Sequence, residues 1–291
     1  MNEATSKNDI EKISYEILKG SKCFDIFPTP VDRIVEYTAL AVHSGIDLSK
    51  IQPSYLSRAT DALKRALNKV RGALDRKEKI IYLDSSIKAS KKNFVKLHEV
   101  GHEVLPWQHS IYEALEEDDN TLNIETREEF EMEANLFAST TLFQCDRFYS
   151  EMDKLGLSIN SSMQLAKQFG ASVHAALRKY VESSKNRCAL LVLENPTQIG
   201  AFLRNTFQSN SFTKTFGELV IPTVLDYSSW SFIQDYCHKR KYRDDGIITL
   251  LTKNGNTTFT YHFFNNSYNA FVFLFPIGEK KSSRTKIIVS A

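Results

Sequence analysis

The 291-residue sequence contains no CxxC pair, and its four cysteines, Cys23, Cys145, Cys188 and Cys237, are scattered along the chain. That spacing excludes a thiolate zinc ribbon and argues against a disulfide framework; it suits reduced core thiols in a cytoplasm. Long apolar runs are missing as well. Nowhere are there the roughly 18 consecutive apolar residues of a membrane span. The opening "MNEATSKNDIEKISYEILKG" has no apolar core of an export signal. Excess charge of either sign is also lacking: 37 Lys and Arg against 35 Asp and Glu leave +2. Neither nucleic acid nor a membrane surface is therefore expected as an obligate partner. Repeats and low-complexity tracts are absent too. What is present is an ordinary globular composition, 42% hydrophobic and 25% charged, on a chain long enough for more than one module.

Periodicity divides the chain. Ile10, Ile13, Ile17 and Leu18 are spaced for one face of a helix, and "FPTPVDRIVEYTALAVHSG" reads as a proline-started helix from Val31 to Val42 that ends near Gly45. A basic helical stretch, "YLSRATDALKRALNKVRG", leads into "KIIYLD", a short apolar strand. A helix follows, with Ser90 as N-cap, the periodic apolar positions Phe94, Leu97, Gly101 and Val104, and Pro106 as its stop. An acid-rich connection then passes into the helical pattern "ETREEFEMEANLFASTTLF". Two short helices surround Gly170, and from Cys188 onward "CALLVLE", "TTFTYHFF", "NAFVFLF" and "KIIVS" read as strands, with Phe259, Tyr261 and Phe263 on one face. The predicted fold class is α+β: a mainly helical domain with a small sheet over 1–155, a helix-turn-helix-like module over 156–187, and a sheet-rich α+β domain over 188–291.

The chemistry concentrates in "LHEVGHEVLPW", Leu97 to Trp107. His98 and His102 are four apart, so on a helix they face one way and two imidazole nitrogens can converge on one ion. Glu99 is turned by about 100° from His98, which suits a general base beside the metal rather than another ligand. This is the HExxH arrangement of zinc peptidases. By composition alone a chance match is expected roughly 0.02 times, so the spacing is informative but needs a third ligand. "EMEANLFAS" offers one. Glu131 heads a stripe through Asn135, Ala138 and Leu142, and Asn135 is placed to orient a liganding imidazole. Glu133, whose stripe runs to Phe137, is the alternative ligand that spacing alone leaves open.

In their order, "FPTPVDRIVEYTALAVHSGIDL", "KIIYLD", "NFVKLHEVGHEVL", "EMEANLFAS" and "QLAKQFGASVHAAL" resemble the ImmA/IrrE metallopeptidases over roughly Phe27 to Val181. The resemblance implies a cytoplasmic peptidase domain in which His98, His102 and Glu131 bind zinc and Glu99 is the base. Manganese is the other metal such a donor set accepts. The resemblance also implies a protein substrate, a helix-turn-helix repressor, cleaved to derepress stress, mobile-element or phage genes, and some relatives carry a GAF-like sensor at the C-terminus. The sequence departs from the common pattern after "EMEANLFAS", where "TLFQCD" replaces an LLxP ending.

The second reading, of a different class, is a non-proteolytic anti-repressor that uses zinc only to hold its fold. A third makes "QLAKQFGASVHAALRKY" a DNA reader through His174, Arg178 and Lys179, and the charge balance speaks against it. His109 is weighed as a stabiliser of charge in the cleft, Trp107 and Phe94 as core, and "HKRKYR" as a solvated helix end. His43, His238 and His262 have no partner spacing.

Overall fold

A computed structural model of the chain describes residues 3–46, 72–117 and 124–279. The expected basic helix before Gly72 and the expected strand "KIIVS" lie outside them. The chain divides into two compact units, one of residues 1–148 with 167–172, the other of 149–166 with 173–291. Helices and two sheets make it α+β, as the periodicity predicts. Among the described residues no helix is long and apolar enough to cross a membrane.

The first unit opens with α1 (Glu3–Gly20) and α2 (Val31–Tyr37). The helix expected to run to Val42 stops five residues earlier. Ala39 takes φ +56°, which breaks the helix, and Ala41–Ile46 becomes β1, an alternating segment that pairs parallel to β3. β2 (Gly72–Asp75) and β3 (Ile80–Asp84) form a hairpin. Its turn is closed by Asp75 Oδ1, which accepts from the backbone N–H groups of Lys77 and Glu78, both at 3.0 Å. The strand order is β1-β3-β2, so the continuous apolar run "IIYLD" is central and β2 is an edge.

α3 (Ala89–Val104) begins after Lys88, two residues before the expected cap. Leu105, which precedes a proline, is held extended at ψ 108°, and Pro106 then opens α4 (Pro106–Glu117) at the one position where a missing N–H costs nothing. Pro106 is thus both the predicted stop and the start of an unpredicted helix. α5 (Ile124–Leu142) follows. Ile10, Leu18, Ile34, Ile81, Leu97, Val100, Phe137 and Leu142 are among the buried side chains that hold α1, α2, the sheet, α3 and α5 around one core.

The second unit takes in α6 (Arg147–Met152) from Tyr149 onward and parts of α7 (Ile159–Phe169), with α8 (Val173–Ser183). Among the described residues its strands are β4 (Ala189–Glu194), β5 (Gly200–Gln208), β6 (Val224–Asp226), β7 (Tyr242–Thr252), β8 (Gly255–Asn265) and β9 (Ala270–Pro276). They lie in the order β6-β5-β4-β9-β8-β7, every neighbouring pair antiparallel. Phe259, Tyr261 and Phe263 do share a face, buried against Phe212 of α9 (Asn210–Phe216) and Phe232, Ile233 and Tyr236 of α10 (Ser231–Cys237). The opposite face carries α8, through Tyr180 on Phe273 and His174 on Phe271 and Phe207. Arg178 lies over Phe207 and pairs with Glu182.

Candidate metal centre

His98 and His102 lie one turn apart on α3, both buried, with their Nε2 atoms 3.2 Å from each other. Glu131 on α5 reaches both: its Oε2 is 3.3 Å from His98 Nε2 and its Oε1 is 3.4 Å from His102 Nε2. One ligand atom from each residue lies within 4.8 Å of the others, so the group could hold a metal ion. The donor set fits. Two nitrogens bound tetrahedrally at 2.0 to 2.1 Å would stand about 3.4 Å apart, close to what is seen. A neutral imidazole or a carboxylate presents a lone pair there, and a cation is what satisfies three lone pairs aimed at one point.

The convergence depends on a close helix crossing. A Cβ on Gly101 would come within 3.2 Å of Ala134 Cα and 3.1 Å of Phe137 Cδ1. The glycine inside HEVGH therefore lets α5 lie against α3, and Glu131, one turn before Ala134, arrives over the histidines. The stripe headed by Glu131 is buried only from Ala138 onward. The deeply buried stripe of α5 is Glu133, Ala134, Phe137, Ala138 and Leu142, whereas Glu131 keeps 33% of its side chain exposed. Glu133 is the buried carboxylate, yet it does not join the histidines. Its Oε2 accepts from Trp107 Nε1 and from Gln108 Nε2, each at 2.7 Å. Asn135 is exposed, and its side chain approaches His98.

Gln108 is the residue that sequence reasoning missed. It is fully buried on the first turn of α4, and its Oε1 lies 2.8 Å from His102 Nδ1. Its Nε2 donates to the Phe130 carbonyl at 3.1 Å as well as to Glu133. A glutamine advertises no metal or acid-base chemistry. The only signal was Pro106, which restarts a helix and folds the next turn back beneath α3.

Glu99 is 4% exposed and sits under the edge strand: a Cβ on Gly72 would lie 2.9 Å from Glu99 Oε1 and 2.6 Å from Val95 Cγ1. Burial pushes the Glu99 carboxyl up, against the opposing charges of His98, His102 and Arg76. Arg76, in the β2–β3 turn, donates to the His102 carbonyl at 3.3 Å. Burial alone would lower His98 and raise Glu131. Glu131 and the Glu99 charge reverse the first effect, and hydrogen bonds from His102 and His98 reverse the second, leaving His98 above the ordinary imidazole value and Glu131 well below the usual carboxylate range.

The remaining candidates fall elsewhere. Trp107 and Phe94 pack at the edge of the core. His109 lies on α4 outside the three-residue group. His43 lies against Tyr82, His238 contacts the Tyr227 hydroxyl, and His262 is buried against Phe273 and Phe275. In "HKRKYR", Arg240 and Arg243 both pair with the buried Asp235. The departing segment "TLFQCD" has a structural task. Gln144 at φ +52° turns the chain out of α5, accepts from the Asp25 N–H at 2.8 Å, and donates to the Ile26 carbonyl and Thr29 Oγ1 at 2.7 and 3.0 Å.

A buried histidine pair on one helix, completed by a glutamate from a second, within an α+β fold, is the arrangement of helix-borne HExxH sites and could hold a metal ion. Residues 58–180 match the family model described as Peptidase_M78, the IrrE N-terminal-like domain. Over that span the resemblance to the ImmA/IrrE family is borne out. Among solved structures, a Mycobacterium tuberculosis transcriptional regulator is similar at a TM-score of 0.55 and 11% identity, covering 91% of this chain and 86% of that one. At that identity the likeness concerns the fold. No curated protein matches by sequence.

Proposed function

We propose that the chain is a zinc-dependent endopeptidase whose substrate is a regulatory protein, a helix-turn-helix repressor, cleaved to release the genes it silences. The observation that carries this reading is the meeting of His98, His102 and Glu131 around one point with Glu99 buried beside them. The IrrE N-terminal-like domain supports the peptidase class. The similar fold of a protein described as a transcriptional regulator agrees with a regulatory setting. In this reading residues 1–155 are the peptidase, 156–187 a helical module, and 188–291 a sensor or substrate-docking domain.

His98, His102 and Glu131 would hold the ion. A bound zinc would polarise the scissile carbonyl and acidify water, and manganese would serve the same donors. The work of Glu99 is to take a proton from the attacking water on its carboxylate and return it to the leaving nitrogen. A carboxyl raised by burial is a stronger base for that step.

Glu99→Gln tests the reading, with a neighbouring helix-turn-helix repressor as substrate. Zinc content should stay stoichiometric while cleavage falls by about 10²- to 10⁴-fold or more. Cleavage retained by the variant removes Glu99 from the mechanism. Tight binding of the repressor by wild-type, zinc-loaded protein without any cleaved product would favour the non-proteolytic anti-repressor instead.

A further inference from the structure

We infer that Gln108 and Glu133 form a positioning relay that sets which nitrogen of His102 is free to bind metal. The inference rests on the metal-site reading above, and its logic is a count of hydrogens. The Gln108 amide has two N–H donors, and both are spent: one on the Phe130 carbonyl at 3.1 Å, the other on Glu133 Oε2 at 2.7 Å. The atom left to face His102 Nδ1, at 2.8 Å, is Oε1, which can only accept. Nδ1 must therefore carry the proton. His102 Nε2 is then an open lone pair, and it is the nitrogen that faces His98 Nε2 and Glu131 Oε1.

Glu133 is what keeps the amide from turning over. If Gln108 flipped, its carbonyl oxygen would face a buried carboxylate and the Phe130 carbonyl, two acceptors with no hydrogen between them. Its NH₂ would meet Nδ1 and favour the tautomer that blocks Nε2. Trp107 Nε1, donating to the same Glu133 oxygen at 2.7 Å, holds that oxygen in place. α5 thus reaches α3 twice, directly through Glu131 and indirectly through Glu133 and Gln108. The carboxylate that spacing left as a rival ligand is assigned to steering one of the ligands. Orientation of a liganding imidazole through its far nitrogen changes metal affinity by about 10- to 100-fold in metal sites generally.

The experiment reads tautomer and affinity separately on the full chain. Metal-free protein with ¹⁵N-labelled histidine is examined by long-range ¹⁵N–¹H correlation at about pH 8, where an ordinary imidazole is neutral. Zn²⁺ affinity is measured by chelator competition. Wild type should show His102 protonated at Nδ1. Gln108→Leu should lose that preference and bind Zn²⁺ about 10- to 100-fold more weakly. The exchanged pair, Gln108→Glu with Glu133→Gln, again offers Nδ1 an acceptor and lets residue 133 donate to residue 108. It should recover the wild-type tautomer and most of the affinity, and it serves also if Gln108→Leu folds poorly. A merely structural Gln108 would alter melting temperature and leave the tautomer untouched. A wild-type His102 protonated at Nε2, or a Gln108→Leu protein with unchanged tautomer and affinity, overturns the relay. Failure of wild type to bind any divalent ion instead overturns the proposed function, while the tautomer still decides the relay.

Discussion

At the scale of single residues, two carboxylates two positions apart on one helix have different partners, and substitution tests what each does. Glu131→Ala should leave the purified protein without stoichiometric metal, because only His98 and His102 remain of the group. Glu133→Ala should keep a weakened site and instead lower stability by about 1–3 kcal/mol, since the half-buried Trp107 and the buried Gln108 donors lose their acceptor. Metal analysis beside a denaturant titration checks both. Loss of zinc in the Glu133 variant alone would reverse the assignment.

Acid should act on the same site in a definite direction. His98 is raised in the metal-free protein, so protons compete for its lone pair from above the ordinary imidazole value of about 6.5. A raised histidine also stabilises the metal-free fold below its unfolded pKa, and that contribution disappears as pH climbs through the folded one. Both effects shrink the stabilisation gained on adding zinc as pH falls from about 8 toward 6. Melting curves with and without metal across that range would show it, and a gap that widened on acidification would contradict it. Among the thiols, Cys188 is buried and pushed up to about 12 by burial, so in the native state a thiol reagent should reach the partly exposed Cys145 and Cys237 well before it.

At the scale of elements, the crossing of α3 and α5 sets the site. Gly101→Val should force the helices apart at Ala134 and Phe137. The expected cost is about 1–3 kcal/mol together with a lower metal affinity, measured by unfolding and by chelator competition. A stable variant with full affinity would show that the crossing has slack. How far the sequence revealed these elements follows from what each depends on. The helices α1, α3 and α5 and the strands β3, β4, β8 and β9 were legible because a local period or an uninterrupted apolar run is their own signature. β1 was not, since its segment reads equally as a continuing helix and becomes a strand only through parallel pairing with β3. β2, β5 and β7 are mixed in polarity and were missed; two of them, β2 and β7, are edge strands. The histidine pair and Glu99 were visible as spacing. Separating Glu131 from Glu133 needed the angle between two helices, and Gln108 needed a fold-back that spacing does not encode.

At the scale of the whole molecule, the chain has two tryptophans, one in each compact unit: Trp107 beside the candidate metal centre and Trp230 beside the core of the six-stranded sheet. Each therefore reports on its own unit. In Trp230→Phe protein, zinc at about 100 times its dissociation constant should raise the stability read by Trp107 by about 2.7 kcal/mol. In Trp107→Phe protein, with zinc again at about 100 times that variant's own dissociation constant, the transition read by Trp230 should move much less. Equal shifts would mean that the two units unfold as one.

The contact between Gln108 and Glu133 has a consequence beyond this molecule. Two side chains that satisfy each other in a dry interior constrain each other's replacement during descent. Across homologues, position 108 and position 133 should change together more often than either changes with Glu131. A lineage that lost the amide while keeping the acid would be expected to hold His102 by some other group. Ancestry would then carry a record of a hydrogen bond.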